Sequence, residues 1–459
     1  MNGAAVFLGL LLTMTQALFA LCPSERIWSN ADHPLYVFLA WTPAADSLTR
    51  VMLLAIGLVA FCAFCVLRAV VTQADRRFLY ANLFLLAVAG MNGVTLSTDI
   101  FSLWVFIEVA AVPSFILIAI KRDGPGLEGA YKYFLLSALA SALLLSGIAL
   151  LLLASGGTSF ADLRQTMGSA AGSHALSLAG LALFTTGLLI KGGVMPFHGW
   201  LPDAYSSAPS PAAVLIAGIV TKTCGIYTIL RLVTGISSTP SVLGWNHSVQ
   251  IVLLTAGMLS VLAGALLAMG QNDFKRMLAY SSISQVGYIV LGAASGMWLG
   301  IAGAVLHLLN HSVFKSLLFV NAAAVEKQTG TVDMLKLGGL AARMPVTGVC
   351  SLIAFLSAAG IPPLAGFWSK LIIVLALWQG GYPVLSVLAI LAGVLTLAYF
   401  LMLQRRVFFG QLVPACSSLR EAPFWLLLPQ ILLSLITLGL GFGFPWLFRT
   451  FLMPLGSFL

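Results

Sequence analysis

The stretch Gly187–Leu232, GLLIKGGVMPFHGWLPDAYSSAPSPAAVLIAGIVTKTCGIYTILRL, carries two lysines, Lys191 and Lys222, inside otherwise apolar runs. A lysine at the centre of a membrane helix costs about 2.5–3.5 kcal/mol on insertion scales. Ionisable residues at such a depth generally mark ion pathways, because structure alone does not require them. The stretch therefore predicts membrane helices that carry charge for a functional reason.

The composition of the whole chain indicates a protein that crosses the membrane many times. Of the 459 residues, 60% are hydrophobic and 8% are charged, and the mean hydropathy is +1.02. Soluble domains carry about 25% charged residues. The net charge of +9 comes from scattered basic residues, and without a Lys/Arg-rich block it does not indicate a nucleic-acid partner. We therefore predict an all-α polytopic membrane protein.

Apolar runs of about 20 residues predict about 13 transmembrane helices. We place them near residues 4–21, 50–71, 78–97, 100–120, 131–154, 178–196, 208–231, 249–270, 275–295, 298–325, 346–377, 383–404 and 423–445. The first run lacks the basic segment of a signal peptide, so we expect a membrane span there.

The distribution of basic residues predicts the orientation of these helices. With a cytoplasmic amino terminus, the cytoplasmic side holds 14 basic residues: Arg68, Arg76, Arg77, Lys121, Arg122, Lys132, Lys275, Arg276, Lys327, Lys336, Arg343, Arg405, Arg406 and Arg420. The opposite side holds five: Arg26, Arg50, Arg164, Arg231 and Arg449. By the positive-inside rule, we expect an outward carboxyl terminus, in a bacterial or archaeal cell membrane.

Glu108 is the first charge within a predicted helix that needs an explanation. It lies eight residues into its helix, about 12 Å along the axis. A glutamate side chain is too short to reach the headgroups from that depth. It must therefore pair with a lysine or stay protonated, and a purely structural ion pair is the alternative explanation.

Lys191 and Lys222 are the next charges at depth. Lys191 is followed by Gly192, Gly193 and Pro196, which interrupt the hydrogen-bond ladder of a helix. An interrupted helix exposes carbonyls that hold water, as a proton path requires. The alternative for Lys191 is a side chain that extends to the membrane surface. Lys222 lies 14 residues into its predicted helix, near the midplane, and is flanked by threonines.

The segment HLLNHSVFKSLLF spaces His307, His311 and Lys315 four residues apart. They share one helix face within an arc of about 80° and extend over about 12 Å. Imidazole suits proton relay because its unperturbed pKa is about 6.5. The alternatives are a structural polar stripe and a zinc site, although no glutamate or cysteine follows to complete a zinc site.

A second interrupted helix is predicted from SAAGIPPLAGFWSKLIIV, where Pro362, Pro363 and Gly366 precede Lys370. The two interrupted helices are the sixth and eleventh of the series, and this odd separation gives them opposite orientations. Interrupted helices in corresponding positions indicate an inverted repeat with a site at its interface. We divide the chain into N-terminal helices (1–77), a first repeat (78–232), a second repeat (249–404) and a C-terminal helix (423–459).

Cofactor and catalytic sites are not expected on this chain. Cys62 and Cys65 form the only C-x-x-C pair among six cysteines, and their apolar surroundings favour packing over metal or redox chemistry. No iron–sulfur, haem or dinucleotide signature is present. No nucleophile–base arrangement accompanies Asp203 and His198. If electrons move in this system, we expect them on another chain.

Three blocks, LIKGGVMPFHGWLPDAYSSAPSP, FKRMLAYSSISQVGYI and HLLNHSVFKSLLF, resemble the antiporter-like membrane subunits of respiratory complex I. The same subunits occur in membrane-bound hydrogenases and multisubunit sodium/proton antiporters. The resemblance extends from about Asp46 to Arg406. It implies two inverted five-helix repeats, each with a discontinuous helix. The chain differs by one fewer helix before residue 46 and by no long lateral helix, and some relatives have glutamate in place of Lys370.

The resemblance also implies roles for the buried charges. It implies a proton relay formed by Glu108, Lys191, Lys222, His307, His311, Lys315 and Lys370. In this relay Glu108 pairs with Lys191, and Lys222 is the central lysine. The histidines and Lys315 connect the centre to Lys370 on the second interrupted helix.

These observations predict a proton-translocating subunit of an energy-converting oxidoreductase complex, similar to NADH-quinone oxidoreductase or membrane-bound hydrogenase. The expected partners are other membrane subunits, hydrophilic iron–sulfur subunits and the lipid bilayer. The expected ion is H⁺, with Na⁺ as the alternative. Two other functions stay open: a subunit of a multisubunit Na⁺/H⁺ antiporter without a redox partner, and a non-pumping scaffold that anchors a hydrophilic enzyme.

Overall fold

The computed structural model describes residues 2–21, 46–168, 174–236 and 247–449. Aspartates begin several of its helices, because their carboxylates accept the free backbone N–H groups of a first turn. Asp46, Asp99, Asp123 and Asp273 accept such hydrogen bonds at distances between 2.7 and 3.0 Å.

The first half of the described chain contains nine helices, two of them short. They are α1 (Asn2–Leu21), α2 (Ser47–Val70), α3 (Ala74–Leu96), α4 (Ile100–Ala119), α5 (Gly124–Ser155), α6 (Phe160–Gly168), α7 (His174–Lys191), α8 (Leu201–Ser207) and α9 (Ser210–Ile236). Within α9, Ile216–Val220 and Lys222–Tyr227 form π-helical turns.

The second half of the described chain contains a further eight helices. They are α10 (His247–Met269), α11 (Phe274–Ala294), α12 (Trp298–Thr329), α13 (Pro345–Ala359), α14 (Ala365–Gln379), α15 (Pro383–Phe408), α16 (Phe424–Phe442) and the short α17 (Phe444–Leu447). The last turn of α15, Gln404–Phe408, is also π-helical.

The described residues are helical and contain no β-strand, as the composition predicts. Eleven helices in these ranges are long and apolar enough to cross a membrane: α1–α5, α9–α12, α15 and α16. They correspond to eleven of the predicted segments. The other two, 178–196 and 346–377, correspond to shorter helices around two breaks, so the count of 13 stays a prediction.

Corresponding helices in the two halves of the described chain have the same lengths and end in the same way. Helices α5 and α12 both have 32 residues and end at glycines with φ of 73°, Gly156 and Gly330. Helices α3 and α10 both have 23 residues. This correspondence supports the predicted pair of repeats, whose limits at 78–232 and 249–404 stay a prediction.

A corresponding backbone hydrogen bond is present in each half. It joins the start of one helix (α4 or α11) to the residues that follow the next helix (α5 or α12). Ile100 N donates to Thr158 O at 3.0 Å, and Phe274 N donates to Val332 O at 2.9 Å. Each residue of the second bond lies 174 positions after its counterpart in the first (100 to 274, 158 to 332). The repeat is therefore one of backbone geometry, which explains why little residue similarity is visible between the halves.

Both predicted helix interruptions are present, and each is more abrupt than the sequence indicates. Helix α7 ends at Lys191, and the chain turns at Gly193, whose φ of 64° disfavours any other residue. Helix α13 ends at Ala359 and turns at Gly360, with φ of 83°. Each turn is followed by a cis proline peptide, Met195–Pro196 or Pro362–Pro363. Lys191 is therefore the last residue of its helix and does not lie two-thirds of the way along a span of residues 178–196, because the positive φ at Gly193 ends the helix early.

Helices α9 and α12 form the centre of the bundle. The apolar windows of both are fully buried, whereas only a third of the α5 window is buried. Helix α12 packs against α2, α9, α11, α13, α14 and α16. The polar side chains of α9 and α12 are thereby held away from lipid.

Candidate functional site

Glu108 and Lys191 form an ion pair at the break in α7. The Nζ atom of Lys191 lies 2.7 Å from Oε1 of Glu108 and 2.6 Å from Oγ of Ser137. The lysine side chain is 1% exposed and the glutamate side chain is 32% exposed. The pairing implied by the resemblance is therefore present. The alternative that Lys191 extends to the membrane surface is wrong, because α4 and α5 enclose its ammonium group.

Lys222 is buried at the start of the second π-helical turn of α9. Its Nζ atom donates a hydrogen bond to the carbonyl of Ala217, five residues earlier. A π-helical turn displaces carbonyls from the regular ladder, so that a buried ammonium group can use one of them. The sequence predicts a regular helix here, because π turns have no strong local signal.

A close approach between α9 and the break brings Lys222 near Lys191. A Cβ atom added at Gly225 would overlap the backbone of Gly192 and would lie 3.0 Å from the carbonyl carbon of Lys191. Gly225 lies three residues after Lys222, which is about 4.5 Å along the helix. The absence of a side chain at Gly225 is therefore what lets the two lysine-bearing segments touch.

His307 and His311 continue the polar line along α12. Their rings are nearly parallel, at 6°, with centroids 6.2 Å apart. Nδ1 of His307 lies 2.8 Å from Oγ of Ser369 on α14. Within the described ranges, Nε2 of His307 and both ring nitrogens of His311 have no hydrogen-bond partner. Buried polar groups that protein atoms leave unpaired generally bind water, so this part of the helix favours hydration.

Lys315 and Lys370 are held by groups on different helices. Nζ of Lys315 donates to the carbonyl of Leu278 at 2.6 Å and to Oγ of Ser281 at 2.5 Å, both on α11. Nζ of Lys370 donates to the carbonyl of Ala358 at 2.7 Å. Ala358 lies in the last turn of α13, where carbonyls have no helical partner. The second helix break thus supplies the group that holds Lys370.

The ammonium of Lys370 also lies 4.8 Å from the ring centroid of Tyr288. Such a cation–π contact stabilises the charge of a desolvated lysine. The hydroxyl of Tyr288 donates to the carbonyl of Ala389 at 2.6 Å, which fixes the ring.

The buried lysines and histidines are close enough to interact electrostatically. His311 interacts with the charges of Lys222, Lys315 and Lys370. Lys315 interacts with Lys222, and His307 with Lys370. None of the ion pairs among the described residues includes Lys222, Lys315 or Lys370. Because like charges repel, a proton on one of these groups disfavours a proton on the next.

Two cavities open at opposite ends of the helices. We call the side where α2, α4 and α12 end the basic face, since it carries Arg76, Lys121 and Lys327. There, a cavity of 410 Å³ is lined by those residues together with Ser210 and Glu326. At the opposite face, a cavity of 450 Å³ is lined by residues that include Asp46, Ser159, Arg164, Arg231 and Val305. The polar line lies between them.

Each cavity is lined by at least one partner of an ion pair that the sequence does not predict. At the basic face, Lys275 Nζ lies 2.6 Å from Oε2 of Glu326. At the opposite face, Arg231 pairs with Asp46. The partners are 51 and 185 residues apart in the chain, so no local spacing signals either pair.

Asp203 has a role that the sequence analysis leaves undetermined. Its carboxylate lies 2.6 Å from Nζ of Lys132 and 2.7 Å from Nη1 of Arg276. These contacts join α8 to α5 in the first repeat and to α11 in the second repeat. Asp203 therefore links the two repeats at the basic face.

Metal sites are not indicated by the described residues. In the ranges that the structure covers, no group of three or more His, Cys, Asp or Glu residues is arranged to hold a metal ion. The zinc alternative for His307 and His311 thus has no support there. Cys62 and Cys65 are fully buried free thiols in α2, as packing predicts. The absence of a cofactor stays a prediction.

Comparisons with known proteins identify the family. The family described as NADH:quinone oxidoreductase/Mrp antiporter, TM matches residues 97–396. The chain is 34% identical over 406 residues to a Na(+)/H(+) antiporter subunit of Alkalihalophilus pseudofirmus, covering 88% of this chain and 81% of that protein. It is 35% identical over 430 residues to an NADH-quinone oxidoreductase subunit of Desulforudis audaxviator, covering 88% and 83%.

A solved structure agrees with this assignment. A chain in the structure of the Mrp complex from Dietzia sp. DQ12-45-1b matches with a TM-score of 0.86 at 27% identity, covering 100% of this chain and 92% of that chain. Both helix breaks lie within the matched family region, as do all seven residues of the polar line from Glu108 to Lys370. The chain therefore belongs to the membrane-subunit family shared by NADH:quinone oxidoreductases and Mrp antiporters.

Proposed function

We propose that this chain is a proton-translocating membrane subunit of an energy-converting oxidoreductase complex. The observation that carries the proposal is a line of titratable side chains that joins the two helix breaks, and all of them except the partly exposed Glu108 are buried: Glu108, Lys191, Lys222, His311, His307 and Lys370, with Lys315 beside it. Family membership supports the same function, since one relative is a subunit of an NADH-quinone oxidoreductase. Charges placed this deep are generally functional.

The first step depends on the distance between Glu108 and Lys191. Two unit charges 4 Å apart at an effective dielectric of about 20 attract each other by about 4 kcal/mol. When α4 and α7 move apart, the ammonium of Lys191 loses this support. Its proton then passes to the neutral amine of Lys222 through water at the break, where α9 touches Gly192.

The second step passes the proton from the first repeat to the second. Lys222 is protonated, and its charge repels charge on Lys315 and His311. A ring nitrogen of His311 accepts the proton and His307 passes it on, since a neutral imidazole has one donor and one acceptor nitrogen. Lys370 receives it beside Ser369 and Tyr288.

The driving force comes from partner chains in this proposal. The named relatives and the similar solved structure are subunits of multi-subunit membrane complexes, so other membrane subunits are the first expected partners. Hydrophilic iron–sulfur subunits supply the redox step. This chain carries no cofactor of its own and contributes proton binding and release.

A second candidate function is a subunit of a Na⁺/H⁺ antiporter without a redox partner. The similarity to the Na(+)/H(+) antiporter protein of Alkalihalophilus pseudofirmus and the TM-score of 0.86 to a chain of an Mrp complex favour it. The same buried groups serve both functions. Co-purification distinguishes them, because iron–sulfur subunits support the first and purely membrane-embedded partners support the second. Na⁺-dependent ΔpH in vesicles also supports the second.

The proposed function is tested by proton uptake in vesicles that contain the assembled complex with Lys222→Ala. We expect at least a tenfold loss of uptake, with subunit composition unchanged. The matched control is Lys336→Ala, which removes a lysine that is 72% exposed at the basic face. Unchanged uptake with Lys222→Ala would remove this chain from the proton path and would favour the scaffold function.

A further inference from the structure

An ion pair outside the proposed relay lies at the cavity of the basic face. Nζ of Lys275, in the first turn of α11, lies 2.6 Å from Oε2 of Glu326, near the end of α12. The hydroxyl of Ser210, at the start of α9, donates to the same carboxylate oxygen. The pair thus joins the basic-face ends of three helices, two of which carry the relay lysines.

The two partners differ in their access to the cavity. The Glu326 side chain is 30% exposed and lines the cavity of 410 Å³. The Lys275 side chain is 3% exposed and is not among the lining residues. Lys275 therefore lies behind Glu326, on the side of the protein interior.

The interior side of the pair leads directly to Lys315. The two groups that accept hydrogen bonds from Lys315 are the carbonyl of Leu278 and the hydroxyl of Ser281. They lie three and six residues after Lys275 on α11, which corresponds to about 4.5 and 9 Å of axial rise. One to two helical turns therefore separate the pair at the cavity from a relay lysine.

We propose that Glu326 and Lys275 form a gate that admits protons from the basic-face cavity to Lys315. This inference rests on the proposed function and adds the entry point of the path. A proton from water in the cavity adds to the Glu326 carboxylate, which becomes neutral and releases the Lys275 ammonium. When the proton moves on through water to the amine of Lys315, the carboxylate is negative again and the pair re-forms.

The gate is tested by water access to α11, measured apart from proton pumping. All six native cysteines are replaced by alanine or serine, and Ser281→Cys is introduced as a probe beside Lys315. The assembled complex in vesicles is treated from the basic face with a membrane-impermeant thiol reagent. We expect slow labelling in this parent and labelling at least tenfold faster with Glu326→Ala, because the pair no longer closes the cavity.

Two further variants separate a gate from a general loosening of the structure. Lys275→Glu combined with Glu326→Lys restores the ion pair and returns labelling to the parent rate. Lys336→Gln removes a charge at the same face that is 72% exposed, and leaves the parent rate unchanged. If the probe variant does not assemble, hydrogen–deuterium exchange of residues 274–282 in the protein with its native cysteines gives the same comparison.

The outcomes of this test and of the Lys222→Ala test are distinct. Labelling and exchange that Glu326→Ala leaves unchanged would overturn the gate, even if Lys222→Ala abolishes proton uptake. Faster labelling with Glu326→Ala would support the gate, even if Lys222→Ala leaves uptake unchanged and the relay is wrong.

Discussion

Three buried lysines of the proposed relay donate hydrogen bonds to main-chain carbonyls. Lys222 donates to Ala217, Lys315 to Leu278 and Lys370 to Ala358. A carbonyl satisfies a neutral amine as well as an ammonium group, so that loss of the proton leaves no uncompensated buried carboxylate. Lys191 differs, because its partner is Glu108. Lys222, Lys315 and Lys370 thus bind their protons without a fixed carboxylate partner. A change of charge at the Glu108–Lys191 pair can therefore shift the protons on these three lysines.

His311 distinguishes a proton relay from a structural polar stripe. Its ring nitrogens are unpaired within the described part of the chain, so replacing it with leucine removes buried polar groups that cost about 1–3 kcal/mol each when unsatisfied. We expect His311→Leu to assemble with an unchanged or higher melting temperature. Proton uptake falls at least tenfold, because the link from Lys222 to His307 is lost.

The control for His311 is Ser312→Ala in the same buried turn. The Ser312 hydroxyl donates to the Leu308 carbonyl of its own helix at 2.9 Å, and among the described residues it makes no hydrogen bond to a relay side chain. Uptake should stay within twofold of wild type. Normal uptake in His311→Leu would contradict a relay through this histidine.

At the residue scale, the sequence predicts the buried charges and one of their contacts. The depth of Glu108 requires a lysine partner or a protonated carboxyl, and the resemblance implies Lys191 as the partner, which the structure shows. The hydrogen bonds of Lys315 to α11 are not predictable, because they depend on how α11 and α12 pack. The pairs at the two cavities are missed for the same reason.

At the element scale, the helix breaks and π turns create the polar line. The Gly-Gly and Pro-Pro sequences predict the breaks, since glycine weakens a helix and proline cannot continue a regular one. The π turns around Lys222 are not predicted, and they supply the carbonyl that holds it. The matching lengths of α5 and α12 appear only once the capping glycines, Gly156 and Gly330, are known to end both helices.

Gly225 tests the contact between α9 and the first break. An alanine there would overlap the backbone of Gly192, so α9 must move away from Lys191. We expect Gly225→Ala to lower proton uptake at least tenfold and to reduce the melting temperature. Gly393→Ala on α15 is the control, because no heavy atom lies within 4 Å of its added Cβ. Equal behaviour of the two variants would show that the close approach is not required.

The pair at the opposite face predicts a dependence of stability on pH. Partial burial opposes ionisation of Asp46, but the Arg231 guanidinium and the backbone N–H of Thr49 hold its pKa below the usual range. A carboxylate with a lowered folded pKa stabilises the protein above its unfolded pKa of about 3.9. This stabilisation is lost as the pH falls through the folded pKa.

The measurement is the melting temperature of wild type and Asp46→Asn between pH 7 and pH 3. We expect wild type to melt at the higher temperature by a constant margin above pH about 5, the margin to shrink as the pH falls below about 4, and the margin to vanish only below the lowered folded pKa of Asp46. Asp75→Asn, at an exposed position in the first turn of α3, is the control and should show no such margin. A margin that grows on acidification would contradict the assignment.

At the scale of the whole molecule, the relay runs across the two repeats between cavities at opposite faces. The fully buried helices α9 and α12 carry its centre, and one helix break stands at each end. The sequence predicts this plan from two interrupted helices five positions apart. It does not predict the cavities, because they form where α2, α9 and α12 from different parts of the chain end together.

The most direct test of the account is a double-mutant cycle on proton translocation by the assembled complex, with Lys222→Ala, Lys370→Ala and both together. Groups in one series path are not independent, so their effects do not add. We predict that each single variant translocates at least tenfold fewer protons per turnover than wild type. We also predict that the double variant translocates as many protons per turnover as the more impaired of the two single variants. Normal translocation in either single variant, or losses that multiply in the double variant, would contradict a single relay through both repeats.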